Sequence, residues 1–334
     1  MIANPEFLQC INKIENGPEV LRNLNIIYDK SIEFKNHESV FYYEPDVKRF
    51  DYTVAFDLDW TLTYNEQHLF PQAVDDIKIF PNRRKILENI LKSGYNIVIF
   101  TNQKSKKKEE KEKKIKRVTT FIKELKLPVF VYISTADDNY RKPNIGMWNL
   151  FNKGKDNKNI IFVGDALGRI QDFADSDKVF AENINANKIY SPEDFFGSSP
   201  IPVFKNEREI VIFVGMPGSG KNTYYNKYLT DHIIIEQDKI GPRKKVLKQL
   251  DISLKTGKSI VINATNPSQH DREEFYNKAL EHKYKIKVLY FIINGTGFNK
   301  LRDKPVPTIV YHIFFKKLDP PTIENTPGEL FYVY

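Results

Sequence analysis

The chain has 334 residues, a length that favours two domains of ordinary size over a single core. Lysine and arginine number 51 against 43 aspartate and glutamate, so the net charge is +8 and the pI about 9.1, which favours a polyanionic partner such as nucleic acid. The single cysteine, Cys10, excludes an intrachain disulfide and a cysteine-based zinc site. Because the sequence shows neither a secretory leader nor a membrane-length apolar run, we expect a soluble intracellular protein with no membrane partner.

Residues 1–50 show no clear period, and we expect them to form a lead-in packed on the first domain. From Tyr52 onwards, short β-rich runs alternate with helix-like stretches, as in TVAFDLD, YNIVIF, VFVYIS and NIIFVGD. One helix-like stretch, RRKILENILKSG, places Gly94 where a glycine commonly ends a helix. This alternation predicts a parallel α/β sheet, which we assign to a domain of residues 51–200.

The stretch from Gly197 to Glu207 combines small residues with prolines and has no period, so we place a domain boundary there. A second series of strands then follows, in EIVIFVG, HIIIEQD, SIVINAT and IKVLYFIIN. It predicts another parallel α/β domain over residues 207–334. In both halves the polar residues of interest come after strands, at the edge where open α/β sheets bind ligands.

Asp57 and Asp59 stand two residues apart at the end of the first strand, so the period of a strand aims both carboxylates to the same side. One carboxylate of such a pair can attack phosphorus while the other protonates the leaving oxygen and later activates water. The attack brings an anion against an anion, so the site needs Mg²⁺ and donor groups. Taken alone, the pair also fits a turn with a helix cap.

Three further strand ends supply the groups that this chemistry needs. Thr101 and Asn102 offer a hydroxyl and an amide to phosphate oxygens, Lys142 offers a positive charge, and Asp165 offers a hard oxygen ligand for Mg²⁺. Four matching strand ends favour the phosphatase over the turn-and-cap interpretation.

The order of these motifs resembles the haloacid-dehalogenase phosphohydrolase superfamily. FDLDWTLT, VIFTNQ, YRKPNIGMW, IFVGDALGR and SPEDFF are more similar still to the phosphatase domain of the polynucleotide kinase 3′-phosphatase family. The resemblance implies a HAD-like domain with Asp57 as nucleophile, Asp59 as acid and base, and Thr101 and Lys142 as phosphate ligands. It also implies Mg²⁺ held by Asp57, Asp165 and the Asp59 carbonyl, with Asp172 or Asp177 supporting it.

Trp60 departs from the family pattern, which usually has glycine at that position. We expect this tryptophan to narrow or reshape the mouth of the cleft without touching the nucleophile, and phosphatase activity to survive it.

The segment KSKKKEEKEKKIKRVTTFIKEL predicts a highly charged helix after the Thr101 strand. Such a helix is either a solvated face laced with Glu–Lys pairs or an electrostatic guide for DNA formed by Lys106, Lys107 and Lys108.

The run IVIFVGMPGSGKNTYY matches the P-loop motif GxxxxGK from Gly215 to Lys221. Glycines let backbone N–H groups surround phosphate oxygens, and Lys221 reaches the β- and γ-phosphates of ATP. Asn222 stands where the motif has a Ser or Thr ligand for Mg²⁺, and Thr223 comes one residue late. The predicted nucleotide-binding residues are Gly215, Gly218, Ser219, Gly220, Lys221, Asn222, Thr223 and Arg302.

Asp238 ends the next strand, where a base can take a proton from an attacking hydroxyl, although a surface carboxylate is the competing interpretation. With the P-loop, the QDKIG and ATNP motifs resemble the kinase domain of the same family, which implies that Asp238 activates a 5′-hydroxyl. Gln237 and Asn263 stand where that family tends to have arginine and aspartate. Arg302 is our candidate lid arginine, with Lys300 competing for the role.

We therefore expect a nucleic-acid end-repair enzyme, a HAD-like 3′-phosphatase followed by a P-loop 5′-kinase, that uses Mg²⁺ and ATP. Its expected partners are 3′-phosphate and 5′-hydroxyl ends, DNA in preference to RNA, and a ligase. Three alternatives stay open: a phosphatase whose P-loop domain only binds nucleotide or DNA, a small-molecule phosphatase fused to a metabolite kinase, and a binding module without activity.

Overall fold

A computed structural model of the chain describes residues 32–69, 74–155 and 157–334. Most of the predicted lead-in, residues 1–31 including Cys10, lies outside the described residues. Both halves contain helices packed on a sheet whose central strands are parallel. The predicted fold class, α/β in two parts, is confirmed.

Two compact units divide the chain, and the division falls between Gly197 and Ser198. The first unit takes in the described residues up to Gly197, except for Glu66–Leu69. The second consists of Ser198–Tyr334 together with Glu66–Leu69.

The first unit contains nine strands and five helices among its described residues. The strands are β1 (Lys35–His37), β2 (Val40–Tyr43), β3 (Tyr52–Phe56), β4 (Thr63–Tyr64), β5 (Lys78–Ile79), β6 (Tyr95–Asn102), β7 (Phe130–Ser134), β8 (Asn159–Val163) and β9 (Lys188–Tyr190). The helices are α1 (Arg83–Lys92), α2 (Lys108–Leu125), α3 (Gly146–Asn152), α4 (Ser176–Asn183) and α5 (Pro192–Phe196).

Seven of these strands form one sheet in the order β1-β2-β7-β6-β3-β8-β9. Strands β7, β6, β3, β8 and β9 run parallel to one another. Strands β1 and β2 add an antiparallel pair at the β7 edge. Described residues of the expected lead-in therefore extend the sheet. The parallel arrangement brings the carboxyl ends of β3, β6 and β8 together.

Alternating side chains of the strands pack on two opposite layers of helices. Val54 and Phe56 face the buried apolar residues of α1 and α2, whereas Ala55 faces those of α3 and α4. This period of two, with apolar residues on both faces, is characteristic of a buried parallel strand. The central strand β3 is thereby fixed from both sides.

Two helices follow from local sequence as predicted. Helix α1 buries Ile86, Leu87, Ile90 and Leu91 on one face, and each buried aliphatic side chain of this size contributes about 1.5–3 kcal/mol. It ends before Gly94, which has a φ of +77°. Helix α2 is exposed over its lysine- and glutamate-rich first half, and its second half is anchored by buried residues that include Phe121.

The second unit contains five strands, all parallel, in the order β11-β12-β10-β13-β14. They are β10 (Glu209–Gly215), β11 (Ile233–Glu236), β12 (Ile260–Asn263), β13 (Lys285–Phe291) and β14 (Glu329–Val333). The helices are α6 (Lys221–Tyr228), α7 (Gln237–Ile240), α8 (Arg243–Leu254), α9 (Gln269–Glu281), α10 (Gly295–Phe298) and α11 (Thr308–Lys317).

Strand β10 lies at the centre of this second sheet, and the glycine-rich segment leaves from its carboxyl end. Val211 and Phe213 of β10 pack with Leu229 and with Phe291 of β13 in a buried cluster. Within the described residues, no helix combines the length and the apolar character needed to cross a bilayer.

Candidate active sites

In the first unit, three carboxylates meet at the carboxyl end of the central strands. Asp57 directly follows β3, Asp165 follows β8, and Asp177 lies in the first turn of α4. One carboxylate oxygen from each lies within 4.8 Å of the others. Asp57 and Asp165 are thus brought together as the sequence predicted, and Asp177 joins them.

Lys142 lies buried among these acids. Its Nζ donates to Asp57 Oδ1 and to Asp177 Oδ1, each at 2.6 Å. Although burial alone would lower the pKa of Lys142, the carboxylates of Asp177 and Asp57 raise it above its usual value. The ammonium group is therefore held charged against the predicted nucleophile.

A single ammonium group does not balance three acids in so small a space. Burial raises the pKa of Asp57 to about 7; Lys142 opposes the shift and Asp177 adds to it. Burial and the neighbouring carboxylates of Asp57 and Asp177 likewise raise the pKa of Asp165 well above its usual value. Hard oxygen ligands that need further positive charge are suited to a divalent cation such as Mg²⁺.

Of the two acids that the resemblance left open, Asp177 lies in the cluster. Its Oδ2 also accepts from the backbone N–H of Ala166 at 3.1 Å. The Asp172 carboxylate instead accepts from the backbone N–H groups of Leu167 and Arg169 and from the Arg169 side chain. Asp172 therefore holds its own loop together.

Asp59 has a different set of partners. Its Oδ2 accepts from Gln103 Nε2 and its Oδ1 from Arg117 Nη2, both at 2.7 Å. Arg117 comes from α2, is only 2% exposed, and donates also to Asn65 Oδ1 at 3.1 Å. The predicted acid and base is thus held in place by two side chains that were not predicted.

Sequence did contain a signal for Arg117. The buried positions of α2 are 117, 118, 121, 122 and 125, which form one helical face. An arginine in phase with the apolar residues of such a face must find partners inside the protein.

The two donors predicted at the end of β6 are both engaged. Thr101 Oγ1 accepts from Gln103 Nε2 at 2.8 Å. Asn102 exchanges two 3.0 Å hydrogen bonds with the backbone of Lys142, donating to its carbonyl and accepting from its N–H. Asn102 thereby positions the lysine that contacts Asp57, and its direct contact with phosphate stays a prediction.

Trp60 begins a tight turn directly after Asp59. Its φ is +62°, a left-handed conformation that costs a residue other than glycine roughly 1–2 kcal/mol. Its backbone N–H donates to the Thr63 carbonyl at 2.8 Å, which closes the turn. The side chain is partly exposed.

In the second unit, the glycine-rich segment forms a loop between β10 and α6. Gly218 and Gly220 have φ values of +79° and +87°. A Cβ on Gly218 would lie 2.3 Å from the Gly295 carbonyl oxygen, so the close approach of the two segments requires glycine. Ser219 is buried within the loop.

Lys221 is buried at the start of α6. Its Nζ donates to the carbonyls of Gly215 at 2.9 Å and Met216 at 2.8 Å. Burial lowers the pKa of Lys221 to about 7, and Asp238 opposes this shift. The two carbonyl oxygens therefore accept the hydrogen bonds that phosphate oxygens are expected to accept from Lys221 when nucleotide binds.

A cleft of about 980 Å³ opens beside the glycine-rich loop. Asp238, at the start of α7, lines it together with Gln237, Thr223 and Arg302. Its apolar side includes Tyr224, Tyr228, Phe298 and Val310. A cleft of this size with converging polar groups suits a nucleotide. Of the two lid candidates, Arg302 is the residue that lines the cleft.

The two asparagines that depart from the expected pattern contact each other. Asn263 Nδ2 donates to Asn222 Oδ1 at 2.8 Å. A neutral amide pair therefore stands where the motif pattern places a hydroxyl and a carboxylate. These amides are weaker ligands for Mg²⁺ than a carboxylate, because they bring no charge.

Comparison with known proteins finds similarity to polynucleotide phosphatases and kinases. A family model described as "Polynucleotide kinase 3 phosphatase" matches residues 53–196. The "Bifunctional polynucleotide phosphatase/kinase" of Schizosaccharomyces pombe is 29% identical over 314 residues, which covers 81% of this chain and 77% of that protein. The "Putative bifunctional polynucleotide phosphatase/kinase" of Acanthamoeba polyphaga mimivirus is 30% identical over 296 residues, covering 69% of each chain.

A third relative is named for the phosphatase activity alone. The "Polynucleotide 3'-phosphatase ZDP" of Arabidopsis thaliana is 31% identical over 218 residues, which covers 56% of this chain and 31% of that protein.

Proposed function

Because this chain belongs to the bifunctional polynucleotide phosphatase/kinase family, we propose that it repairs nucleic-acid ends with two activities. One hydrolyses 3′-phosphates and the other transfers the γ-phosphate of ATP to 5′-hydroxyls. The observation that carries the proposal is the pairing, in one chain, of the Asp57–Lys142–Asp177 cluster with the glycine-rich loop around Lys221.

In the phosphatase reaction, the Asp57 carboxylate attacks phosphorus and the bond from phosphorus to the 3′-oxygen breaks. Asp59 gives its proton to that oxygen, leaving a 3′-hydroxyl and an aspartyl-phosphate. Asp59 then takes a proton from water, which attacks phosphorus, releases phosphate and regenerates Asp57. In this proposal Lys142, whose Nζ lies 2.6 Å from Asp57 Oδ1, stabilises negative charge on the transferred phosphoryl group, and Thr101 at the end of a neighbouring strand is a further phosphate ligand.

Mg²⁺ fits the carboxylates of Asp57, Asp165 and Asp177, with the Asp59 carbonyl as a further ligand. When bound, the cation neutralises charge on the phosphoryl oxygens. Arg117 and Gln103 hold Asp59 in place for its two proton transfers.

In the kinase reaction, the backbone N–H groups of the glycine-rich loop and Lys221 bind the phosphates of ATP. Asp238 takes the proton of the attacking 5′-hydroxyl, and Arg302 stabilises charge on the transferred group from the same cleft. The apolar side of the cleft accommodates the nucleoside.

We propose DNA in preference to RNA as the substrate, and a net charge of +8 supports a polyanionic partner of either kind. The products are a 3′-hydroxyl and a 5′-phosphate, the ends that a ligase joins. A ligase is accordingly the expected functional partner.

One observation favours a second candidate function for the P-loop unit. The neutral Asn222–Asn263 pair weakens the case for metal-assisted transfer and is compatible with a unit that binds nucleotide or DNA without catalysis.

A parallel assay separates the candidates. Phosphate release and labelled-ATP transfer are measured on 3′-phosphorylated and 5′-hydroxyl oligonucleotides in nicked, gapped and single-stranded DNA and RNA. We expect Asp57→Asn to abolish only the first activity and Asp238→Asn only the second. Transfer below detection in the unaltered protein would leave the binding platform as the function of the second unit. Faster hydrolysis of sugar phosphates than of oligonucleotides would contradict the phosphatase substrate.

A further inference from the structure

Trp60 directly follows Asp59, the predicted acid and base of the phosphatase site. It is partly exposed and belongs to neither of the hydrophobic clusters that pack the two faces of the first sheet. The other tryptophan of the chain, Trp148, is buried in one of those clusters. Trp60 therefore does not serve the core in the way that Trp148 does.

The backbone beneath this indole is fixed. Trp60 N donates to the Thr63 carbonyl, and the backbone N–H groups of Leu62 and Thr63 donate to the Leu58 carbonyl at 2.9 and 3.1 Å. Leu62 and Thr63 are fully buried. The indole is thus carried on a rigid turn, one residue from Asp59, and consecutive Cα atoms are only about 3.8 Å apart.

That turn would form more easily with glycine. Its φ of +62° suits a residue without Cβ, so a bulky tryptophan is kept there against a conformational cost. Strain of this kind concentrates at functional positions. A partly exposed aromatic ring on a rigid support is also what a stacking partner for a nucleobase requires.

We propose that Trp60 is a stacking platform for the nucleobase at the 3′ end of the substrate strand. The inference rests on the proposed phosphatase function, since Asp59 must lie at the 3′-oxygen of the same nucleotide. Every base has a π face, so the platform accepts all bases and discriminates against phosphate esters that carry no base. Trp60 would then determine substrate specificity without taking part in the chemistry.

Fluorescence tests the contact directly, because the chain has two tryptophans and Trp148 is buried. A 3′-phosphorylated single-stranded oligothymidylate is titrated into the Asp57→Asn protein, which binds it without turnover. We expect quenching that persists in Trp148→Phe, disappears in Trp60→Phe, and is absent with inorganic phosphate or with an oligonucleotide whose 3′-terminal nucleotide is abasic. Equal quenching by the abasic oligonucleotide would overturn the proposal.

Kinetics provide the second test. Trp60→Gly suits the local φ, so the variant is expected to fold. We expect its kcat/KM for the 3′-phosphorylated oligonucleotide to fall about tenfold, mainly through KM, which corresponds to about 1.4 kcal/mol. Hydrolysis of acetyl phosphate, which has no aromatic ring to stack, should be unchanged, and Trp60→Phe should retain most of the oligonucleotide activity.

Two kinetic outcomes contradict the platform. An unchanged kcat/KM in Trp60→Gly would show that Trp60 makes no stacking contact with the substrate. A higher kcat/KM on duplex ends would show that Trp60 is a steric barrier instead. If the unaltered protein released no phosphate from any oligonucleotide, the proposed function itself would fail, and that result is distinct from either outcome.

Discussion

The two candidate sites occupy the same place in their sheets but differ in how they handle charge. In the first unit, Asp57, Asp165 and Asp177 form an acidic cluster in which Lys142 donates to Asp57 and Asp177, and Asp59 is paired with the buried Arg117. In the second, Lys221 donates to backbone carbonyls, and its neighbours Asn222 and Asn263 are neutral.

This difference indicates where each site obtains its electrostatic complement. The phosphatase cluster contains three fixed carboxylates whose negative charge favours binding of a cation even without substrate. In the second unit, the buried Lys221 side chain donates to backbone carbonyls, and we expect it to exchange them for phosphate oxygens when nucleotide binds. Much of its favourable interaction energy would then depend on the anionic ligand.

Removing one acid from the charged site should have the largest effect. Asp177→Asn removes a single carboxylate that both accepts from Lys142 and belongs to the proposed cation site. We expect phosphate release from 3′-phosphorylated DNA to fall about a hundredfold, because supporting groups of a metal site commonly contribute 10- to 100-fold. The Mg²⁺ concentration for half-maximal rate should rise.

Asp172→Asn is the matched control, because Asp172 is bonded within its own loop. Its Mg²⁺ dependence should remain that of the unaltered protein. A larger shift in Asp172→Asn than in Asp177→Asn would reverse the assignment of the two acids.

The buried ammonium of the other site predicts a pH dependence. Since burial lowers the pKa of Lys221 to about 7, the free protein carries it largely neutral at higher pH. Bound phosphates favour the charged form of Lys221, so ATP binding above about pH 7 must be accompanied by uptake of a proton. From about pH 7.5 to about pH 9, ATP affinity should fall by up to roughly tenfold per unit.

Calorimetry at about pH 8 in two buffers of different ionisation enthalpy measures this uptake. Lys221→Arg is the control, because guanidinium stays charged throughout this range. Absence of proton uptake by the unaltered protein would show that Lys221 is already charged before nucleotide binds.

Introducing a charged group in place of the amide pair should give the P-loop site a cation ligand of the kind that the phosphatase site has. We expect Asn222→Ser combined with Asn263→Asp to raise phosphoryl transfer about tenfold at limiting Mg²⁺, because a hydroxyl and a carboxylate bind the cation better than amides. Asn263→Asp removes the donor of the 2.8 Å hydrogen bond and Asn222→Ser removes its acceptor, so either change alone should give a smaller gain than the double change.

The informative quantity is the coupling between the two changes in a double-mutant cycle. Phosphatase activity of the same variants serves as the control and should not change. A single variant as active as the double would show that the pair does not act as a unit.

Sequence predicted much of this contrast because its signals are local. Each predicted strand run is found as a strand, and Asp57, Asp165, Lys221 and Asp238 follow or flank strand ends. The antiparallel edge strand β1 was not predicted, since its three residues are exposed and lack an apolar period. Catalytic roles of the residues stay predictions.

Partners that are distant in sequence were harder to predict. Arg117 lies 58 residues from Asp59, and its contact depends on how α2 docks on the sheet. The choice between Asp172 and Asp177 also depends on the loop before α4, because both follow the same strand. No local pattern distinguishes an acid that closes a loop from one that reaches a site.

Helix α2 provides the last and mildest test, because it joins the charged site to an exposed lysine-rich segment. Arg117 is buried against Asp59, whereas Lys106, Lys107 and Lys108 are exposed at or just before the start of the helix. If these lysines guide nucleic acid, changing all three to glutamine should weaken DNA binding a few-fold at moderate salt. The slope of log affinity against log salt should fall by up to about 2.

Three exposed lysines later in the chain, Lys116, Lys123 and Lys126, form the matched control. Their replacement removes the same net charge, so it separates local contact from the overall field of the protein. Equal slopes in both triple variants would mean that the lysines act only through net charge. An unchanged slope in the first variant would leave this end of α2 as a solvated face, and the fixed charges of the phosphatase site would then be confined to its buried cluster.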